Sequence, residues 1–379
     1  MRELDRIRQT LTSAASRGER VLLVTVLGVE GSVYRGAGAR MIVLPSGQTI
    51  GAVSGGCLEA DIVARTPNVL ASGRAEIARY DTRASDDVVL GLGLGCQGVI
   101  DLLLEPLSGP SLGDAIAFYS RLADHREPVT LITLIRSESG APPLGARLIL
   151  DEQGIVLEGD SSLLSHIDGV AREIVHPATR LVVLGGGADA IPVTRLAKLM
   201  GWHVTLVDHR SSFASPTRFP DADVVICANF SQDPGTLESQ IRVDARTMAV
   251  CMAHSATHDR AYLHAMLDAG AGYIGVLGPR RRTMELLGER ATNATLPHNV
   301  HSPIGLDLGA ETPEEIALAI VAEISAVSAG RRGGHLRERA GPIHERAISS
   351  SAPASSRPEA DWTPRPPPDL RPANPSTSP

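Results

Sequence analysis

The sequence predicts an α/β protein in three parts. These are an N-terminal mixed α/β domain with an internal repeat over residues 1–176, a parallel-sheet domain over 177–328, and a disordered C-terminal tail over 329–379. Three observations carry this division. Two Val/Leu-rich strand texts, "ERVLLVTVLGVEGS" (19–32) and "EPVTLITLIRSESG" (127–140), are followed at nearly equal offsets by "GARMIVLPSG" (38–47) and "GARLILDEQG" (145–154). From 178 the pattern changes to alternating short apolar runs and helical segments, which suits parallel strands with crossover helices. After about 330 the composition shifts to Ser, Pro, Ala and Arg, with too little apolar content to offset ordering entropy.

In chain order, residues 2–16 read as an amphipathic helix with Leu4, Ile7 and Leu11 on one face. Residues 20–32 form a strand, and 39–56 a hairpin turning at Pro45-Ser46-Gly47. A helix follows from Cys57 to Arg65, then a strand over 97–107. The second copy of the strand–turn–hairpin unit runs into "SSLLSHIDGV", without the Gly-Gly-Cys segment of the first. In the C-terminal half, 221–228 and 247–253 read as buried strands, 258–270 as a helix capped at Gly270, and 272–278 as a strand. The last helix, 312–329, has Thr312 as N-cap, Pro313 at its first position and Glu315 completing a capping box.

Chemistry-bearing motifs fall in both halves. Gly185-Gly186-Gly187-Ala188-Asp189-Ala190 fits G-x-G-x-x-A between a strand and a helix, the signature of a Rossmann-like domain. Gly185 makes the turn, Gly187 lets a pyrophosphate approach the backbone, and Ala190 allows close helix packing. Asp208 ends the next strand, where an acid accepts from a ribose hydroxyl; His209 and Arg210 beside it suit a 2′-phosphate instead. His254 stands at a strand's carboxyl end, and Arg280 opens an arginine triplet suited to phosphate. In "VSGGCLEADIV" (53–63), Cys57 follows Gly55 and Gly56 at an expected helix start, where free amides and the helix dipole favour a thiolate. Glu59 either caps that helix or handles a proton. Cys96 is glycine-embedded in the same way, and the two together suggest sulfur chemistry, soft-metal ligation or persulfide transfer. Cys227 and Cys251, in apolar strands, read as small buried hydrophobes.

Bulk properties narrow the function. The chain has 379 residues, 43% hydrophobic but only 3% aromatic, so its cores are aliphatic. A formal charge of -7 argues against a nonspecific nucleic-acid binder. There is no membrane-spanning run and no signal peptide, so a cytoplasmic protein is expected. The four cysteines form no CxxC pair and no zinc spacing, so neither a disulfide nor a structural metal is expected.

Taken together, "GSVYRGAGARMIV", "GQTIGAVSGGCLEADIV" and "GLGLGCQGVIDLLLEPL" resemble the N-terminal domain of the XdhC/CoxI family of molybdenum hydroxylase maturation factors. "VVLGGGADAIPVTRLAKLMGWHVTLVDHR", "MAHSATHD", "GYIGVLGPRRRT" and "HSPIGLDLGAETPEEIALAIVAEI" extend the resemblance to residue 328. Tyr34-Arg35 stands where the family often reads Pro-Arg, and Asp189 and Ala190 stand where it commonly carries His and Gly. The resemblance implies an accessory chaperone rather than a turnover enzyme. Such a protein binds molybdenum cofactor (molybdopterin or its dinucleotide form), supports its sulfuration, and delivers it to a hydroxylase of the xanthine or carbon monoxide dehydrogenase type. The implied partners are that hydroxylase's large subunit, a cysteine desulfurase and a second copy of the chain. Cys57, Glu59 and Cys96 would handle sulfur or cofactor; Arg35, Arg40, Gly55, Gly56, Gly185, Gly187, Ala190, Asp208, His254 and Arg280 would bind. The Cys57 loop is expected to face the Gly185–Ala190 crevice, within one chain or across two, with Arg35 and Arg40 on the wall between. The alternatives are an NAD(P)-dependent oxidoreductase or Cys57-based redox enzyme, and a sensor or scaffold using the tail as a binding arm.

Overall fold

The structure is a computed structural model that describes residues 3–31, 33–81, 98–137, 142–166, 169–229, 232, 240–291, 295–338 and 340. The tail beyond 340 and Cys96 lie outside these residues. Helix α1 (Glu3–Ser16) buries Leu4, Ile7, Leu11 and Ala14, the stripe that its periodicity announces. Strands β1 (Val21–Gly31), β2 (Arg40–Val43) and β3 (Thr49–Gly51) form an antiparallel meander. Helix α2 (Glu59–Ser72) follows, then β4 (Glu76–Asp81) and β5 (Gly98–Leu107), and the sheet order is β3-β2-β1-β5-β4. The expected stop at Arg65 is overrun. Pro67 lies inside α2, but Val69 is buried beyond it, and the amide of Gly73 closes the helix on the Val69 carbonyl. Core packing outweighs the one backbone bond a proline removes.

Helix α3 (Gly109–Asp124) leads into the second copy: β6 (Val129–Leu134), β7 (Arg147–Leu150), β8 (Val156–Gly159) and β9 (Val170–Val175), in sheet order β8-β7-β6-β9. The repeat extends to side-chain detail. Arg40 of the first copy pairs with Glu173 of the second at 2.6 Å, and Arg147 of the second with Glu105 of the first at 2.5 Å. Both guanidiniums lie over the Tyr119 ring, at 5.4 and 5.5 Å. Gly38 and Gly145 precede these arginines by two residues, and each has φ +87°. A Cβ on either would overlap the opposite copy's glutamate, so this crossing admits only glycine. Alternation divides the cores. Val21, Leu23, Val129 and Leu131 meet α1 and α3, while Leu22, Val24 and Val26 face α2. Each fully buried aliphatic side chain contributes roughly 1.5–3 kcal/mol.

The second half is a six-stranded parallel sheet of β10 (Arg180–Leu184), β11 (His203–Asp208), β12 (Val224–Cys227), β13 (Thr247–Cys251), β14 (Tyr273–Val276) and β15 (Val300–His301), in order β12-β11-β10-β13-β14-β15. Helices α4 (Ala190–Leu199) and α7 (Pro313–Ser328) cover one face; α5 (Ala256–Asp268) and α6 (Arg280–Leu287) cover the other. The Thr312–Glu315 capping box forms as the sequence indicates. Strand order reverses between β10 and β13, the point at whose carboxyl ends open α/β sheets hold their ligands. One reading is corrected. β12 is an edge strand, with Val224 and Cys227 exposed, and is not a buried one.

Candidate functional site

The loop between β3 and α2 is built around Ser54. This residue is 3% exposed, and its hydroxyl donates to Glu59 Oε2. Ser54 Oγ in turn accepts from the Gly56 and Leu58 amides, both at 3.1 Å. Glu59 Oε1 accepts from the amides of Val53 (3.2 Å) and Ser54 (2.9 Å). Burial works to raise the Glu59 pKa, but these donors outweigh it and hold the carboxyl below its ordinary range. Both Glu59 oxygens are therefore engaged in bracing the loop. Cys57 sits half-buried on this brace, its Sγ donating to Ser54 Oγ at 3.6 Å. Gly55 and Gly56 were expected to let backbone amides converge on an anion; the Gly56 and Leu58 amides converge instead on Ser54 Oγ. Gly55 leaves room for the Tyr34 ring, which a Cβ there would touch at 3.6 Å.

The two arginines near this loop differ in availability. Arg35 is half-buried and donates to Glu3 Oε2 at the start of α1. Arg40 is 3% exposed and donates to Glu173 and the Gly38 carbonyl. Burial works against its charge, but Glu173 and Tyr119 outweigh it and raise its pKa. Its fork is thus spent inside the domain, on the contact between the repeats, and does not line an open wall.

In the second half the glycine loop leaves β10 at the strand-order reversal. Gly185 and Gly186 are required by packing. A Cβ on Gly185 would come within 2.6 Å of the Met252–Ala253 backbone, and one on Gly186 within 2.9 Å of the Phe213 carbonyl. Ala190 is fully buried at the start of α4 and allows the close helix–sheet contact. Gly187 is the open position, where an added Cβ would meet only the His254 ring, at 3.7 Å. Among the described residues, the amides of Gly187, Ala188 and Asp189 have no protein acceptor. Free amides at the start of a helix suit a phosphate oxygen.

Asp208 is fully buried, and its carboxylate is saturated. Oδ2 accepts from the Gly186 amide (2.7 Å) and Arg210 Nη2 (2.8 Å); Oδ1 accepts from the Arg210 amide (2.8 Å) and Nε (2.9 Å). Burial raises its pKa, and these four donors more than reverse that. The acid expected at a ribose hydroxyl instead fixes the glycine loop to β11. His254 has φ +57°, unusual for a side chain of its size, and its Nε2 lies 3.1 Å from Asp189 Oδ2 across the mouth of the loop. Arg280 is exposed at the first position of α6, on the same edge of the sheet. Its neighbour Arg282 instead turns inward to the buried Asp259, at 2.5 Å.

Sequence reasoning missed Arg218. Its Nε donates to the Gly186 carbonyl at 3.2 Å, and it shares the Phe213 ring with Arg210, their guanidiniums lying 5.0 and 3.6 Å from the centroid. Nothing in "SPTRFP" signals this, because the stack is made by a loop with no periodicity. The cysteines also divide differently from the expectation. Cys251 is buried, with its thiol pKa pushed well above the ordinary value by burial, while Cys227 is exposed at the carboxyl end of β12. The polar contacts joining the two halves lie elsewhere, at the amino-terminal edge of the parallel sheet. Arg246 pairs with Glu127 (2.6 Å) and Glu152 (3.5 Å), and Arg126 lies 3.8 Å from Asp244.

Fold and loops define a class: a two-part α/β protein with a glycine loop at the strand-order reversal of one half and a braced, half-buried cysteine in the other. Comparison with known proteins narrows this. Residues 14–81 match the XdhC and CoxI family, and residues 181–324 match the XdhC Rossmann domain. The chain is 31% identical over 322 residues to a probable xanthine dehydrogenase subunit of Bacillus subtilis, covering 81% of this chain and 92% of that one. It is 26% identical over 318 residues to the molybdenum cofactor insertion chaperone PaoD of Escherichia coli, covering 83% and 85%. A crystal structure described as a xanthine dehydrogenase from Bacillus halodurans superposes with a TM-score of 0.73 at 28% identity, over 88% of this chain and 97% of that one. The chain belongs to the XdhC/CoxI family. Among the described residues no helix is long and apolar enough to cross a membrane.

Proposed function

We propose that this chain is a maturation factor that binds molybdenum cofactor and passes it to a molybdenum hydroxylase. The observation that carries the proposal is the Cys57 loop. The Cys57 thiol is held half-buried by a Ser54–Glu59 brace, in the segment that matches the XdhC and CoxI family. The names of the relatives point the same way, one as a cofactor insertion chaperone and one as a xanthine dehydrogenase subunit. The cargo is a sulfur-rich, phosphorylated pterin, and the residues present fit its anionic end. The free amides of Gly187, Ala188 and Asp189 would take a phosphate oxygen, with His254 and Arg280 on the same edge. Cys57 would meet the sulfur end, either shielding it or taking part in sulfuration with sulfur supplied by a cysteine desulfurase. Because the halves of one chain join on the edge opposite the glycine loop, we place a site shared by both loops between two copies of the chain. The reading as a nicotinamide enzyme draws no support from Asp208, whose oxygens are already occupied.

The test is retention of cofactor by the purified protein after expression in a molybdate-replete host. Pterin content would be read by fluorescence after oxidation. Gly187→Val would place a branched side chain against His254 and over the free amides. It should lower retained pterin at least tenfold while leaving the far-ultraviolet spectrum unchanged. Undiminished retention would remove the glycine loop from binding.

A further inference from the structure

Beside the Cys57 loop stands an exposed aromatic ring. Tyr34 lies in the connection between β1 and β2 and is 71% exposed. In a chain that is only 3% aromatic, it is the one exposed Phe, Tyr or Trp side chain among the described residues. Other rings are held in cores or already have partners. Tyr80 is engaged by Asp61 and Arg65, and Phe213 by Arg210 and Arg218. A single exposed apolar side chain is ordinary, so it is the setting that singles this one out.

Gly55, two residues before Cys57, lies against the ring. A Cβ built there would stand 3.6 Å from Tyr34 Cγ and 3.9 Å from each of Cδ1 and Cδ2. The equal pair of distances, slightly longer than the first, places that atom above Cγ on the face of the ring and not at its edge. Gly55 thus backs one face, and the exposure of the side chain leaves the other to solvent. Gly56 follows with φ +112° and open space where a Cβ would stand, so bare backbone borders both ring and cysteine. Val33 and Cys57 pack against the same apolar cluster beneath α2, which holds the Tyr34 turn to the loop. Arg35 is turned to Glu3, so the neighbouring guanidinium is engaged elsewhere.

We propose that the open face of Tyr34 is where the flat heteroaromatic ring of the pterin stacks, fixing the ring end of the cargo beside Cys57. This rests on the maturation reading and adds the place where the ring is held. Stacking of a flat ring on an aromatic face draws on dispersion and on water released from both surfaces. Tyrosine has only two side-chain torsions, and with one face seated on Gly55 its ring loses little freedom when a ligand covers the other. A ring held here sets the sulfur of the cargo near Cys57 and leaves its phosphate to reach the glycine loop of a second copy.

The test uses the whole chain and 6-hydroxymethylpterin, a fluorescent probe that has the ring but neither sulfur nor phosphate. The native chain should quench its fluorescence saturably. Tyr34→Phe keeps the aromatic face and should bind within about twofold of native. Tyr34→Leu keeps apolar bulk without that face and should bind at least about fivefold more weakly, with an unchanged far-ultraviolet spectrum. If Tyr34→Leu binds the probe as tightly as the native chain, or the native chain does not quench it, the proposal fails. It also fails if Tyr34→Leu weakens only association with the target hydroxylase, because the ring is then a protein contact. Cofactor retained by the native chain from a molybdate-replete host separates this from the maturation reading. Retention together with indifference of the probe to Tyr34→Leu removes Tyr34 alone. Probe binding that requires Tyr34, in a chain that retains no cofactor, keeps the ring site and removes the maturation reading.

Discussion

Asp208→Asn tests most directly how the glycine loop is held. In the native chain one fully buried carboxylate accepts four hydrogen bonds, three of them from Arg210. Asparagine keeps the shape but offers one acceptor oxygen, and it turns an NH₂ toward N–H donors. Either the Gly186 amide or the Arg210 fork then loses its partner. Charge-assisted bonds contribute about 1.5–3 kcal/mol each, and breaking a buried pair costs about 3–5 kcal/mol. Arg210 is 38% exposed and can turn to water, so the cost falls below that of a fully buried pair, to about 2–3 kcal/mol. Trp202, 6% exposed in the core beside α4, reports on unfolding of this half. With a slope of about 2 kcal/mol per molar urea, the fluorescence midpoint should fall by about 1 M. The pH dependence has a definite sign. The folded carboxyl titrates below its unfolded value of about 3.9, so its contribution is complete above that value and is lost as pH falls through the folded one. The gap between the two proteins should therefore hold from pH 7 to about 4 and narrow only below. A midpoint shift under 0.2 M, or a gap that closes near neutrality, would refute the claim that Asp208 anchors the loop.

Two further outcomes follow from the geometry. Under a limiting alkylating agent, Cys57 and Cys227 should be modified in the native protein, and Cys251 only on unfolding, as read by peptide mass spectrometry; early labelling of Cys251 contradicts its placement. Arg40→Met leaves Glu173 unpaired where the repeats cross and should destabilise the N-terminal half by about 3 kcal/mol, with Arg40→Met/Glu173→Leu recovering part of the loss. If the double variant is no more stable than the single one, the crossing is not an ion-pair contact.

Fold was more legible in this sequence than chemistry. The duplicated strand texts led to two meanders that match down to Arg40 and Arg147, because a repeat keeps its turn glycines and its alternation. The glycine loop and capping box are local signals, and both formed where read. Helix α3, edge strand β4 and helix α6 did not stand out, since their formation depends on the neighbours that cover them. The site residues were identified by type, but their partners come from distant parts of the chain. Arg40 reads like an anion ligand until Glu173, 133 residues away, is seen to occupy it. Asp208 reads like a ribose acceptor until Gly186 and Arg210 fill its lone pairs. Cys227 lies in an apolar run, and only the sheet order shows that this run is an edge.

The central claim is that Cys57 acts in preparing cofactor for a hydroxylase. The direct measurement is the specific activity and cyanide-labile sulfur of the target hydroxylase, matured beside either the native chain or the Cys57→Ser variant. Serine keeps the loop's bond to Ser54 and removes only the sulfur, so the brace stays in place. We predict a target hydroxylase that is folded but at least tenfold less active, lacking cofactor or its sulfur. Full activity and full sulfur content in the presence of the serine variant would contradict the account.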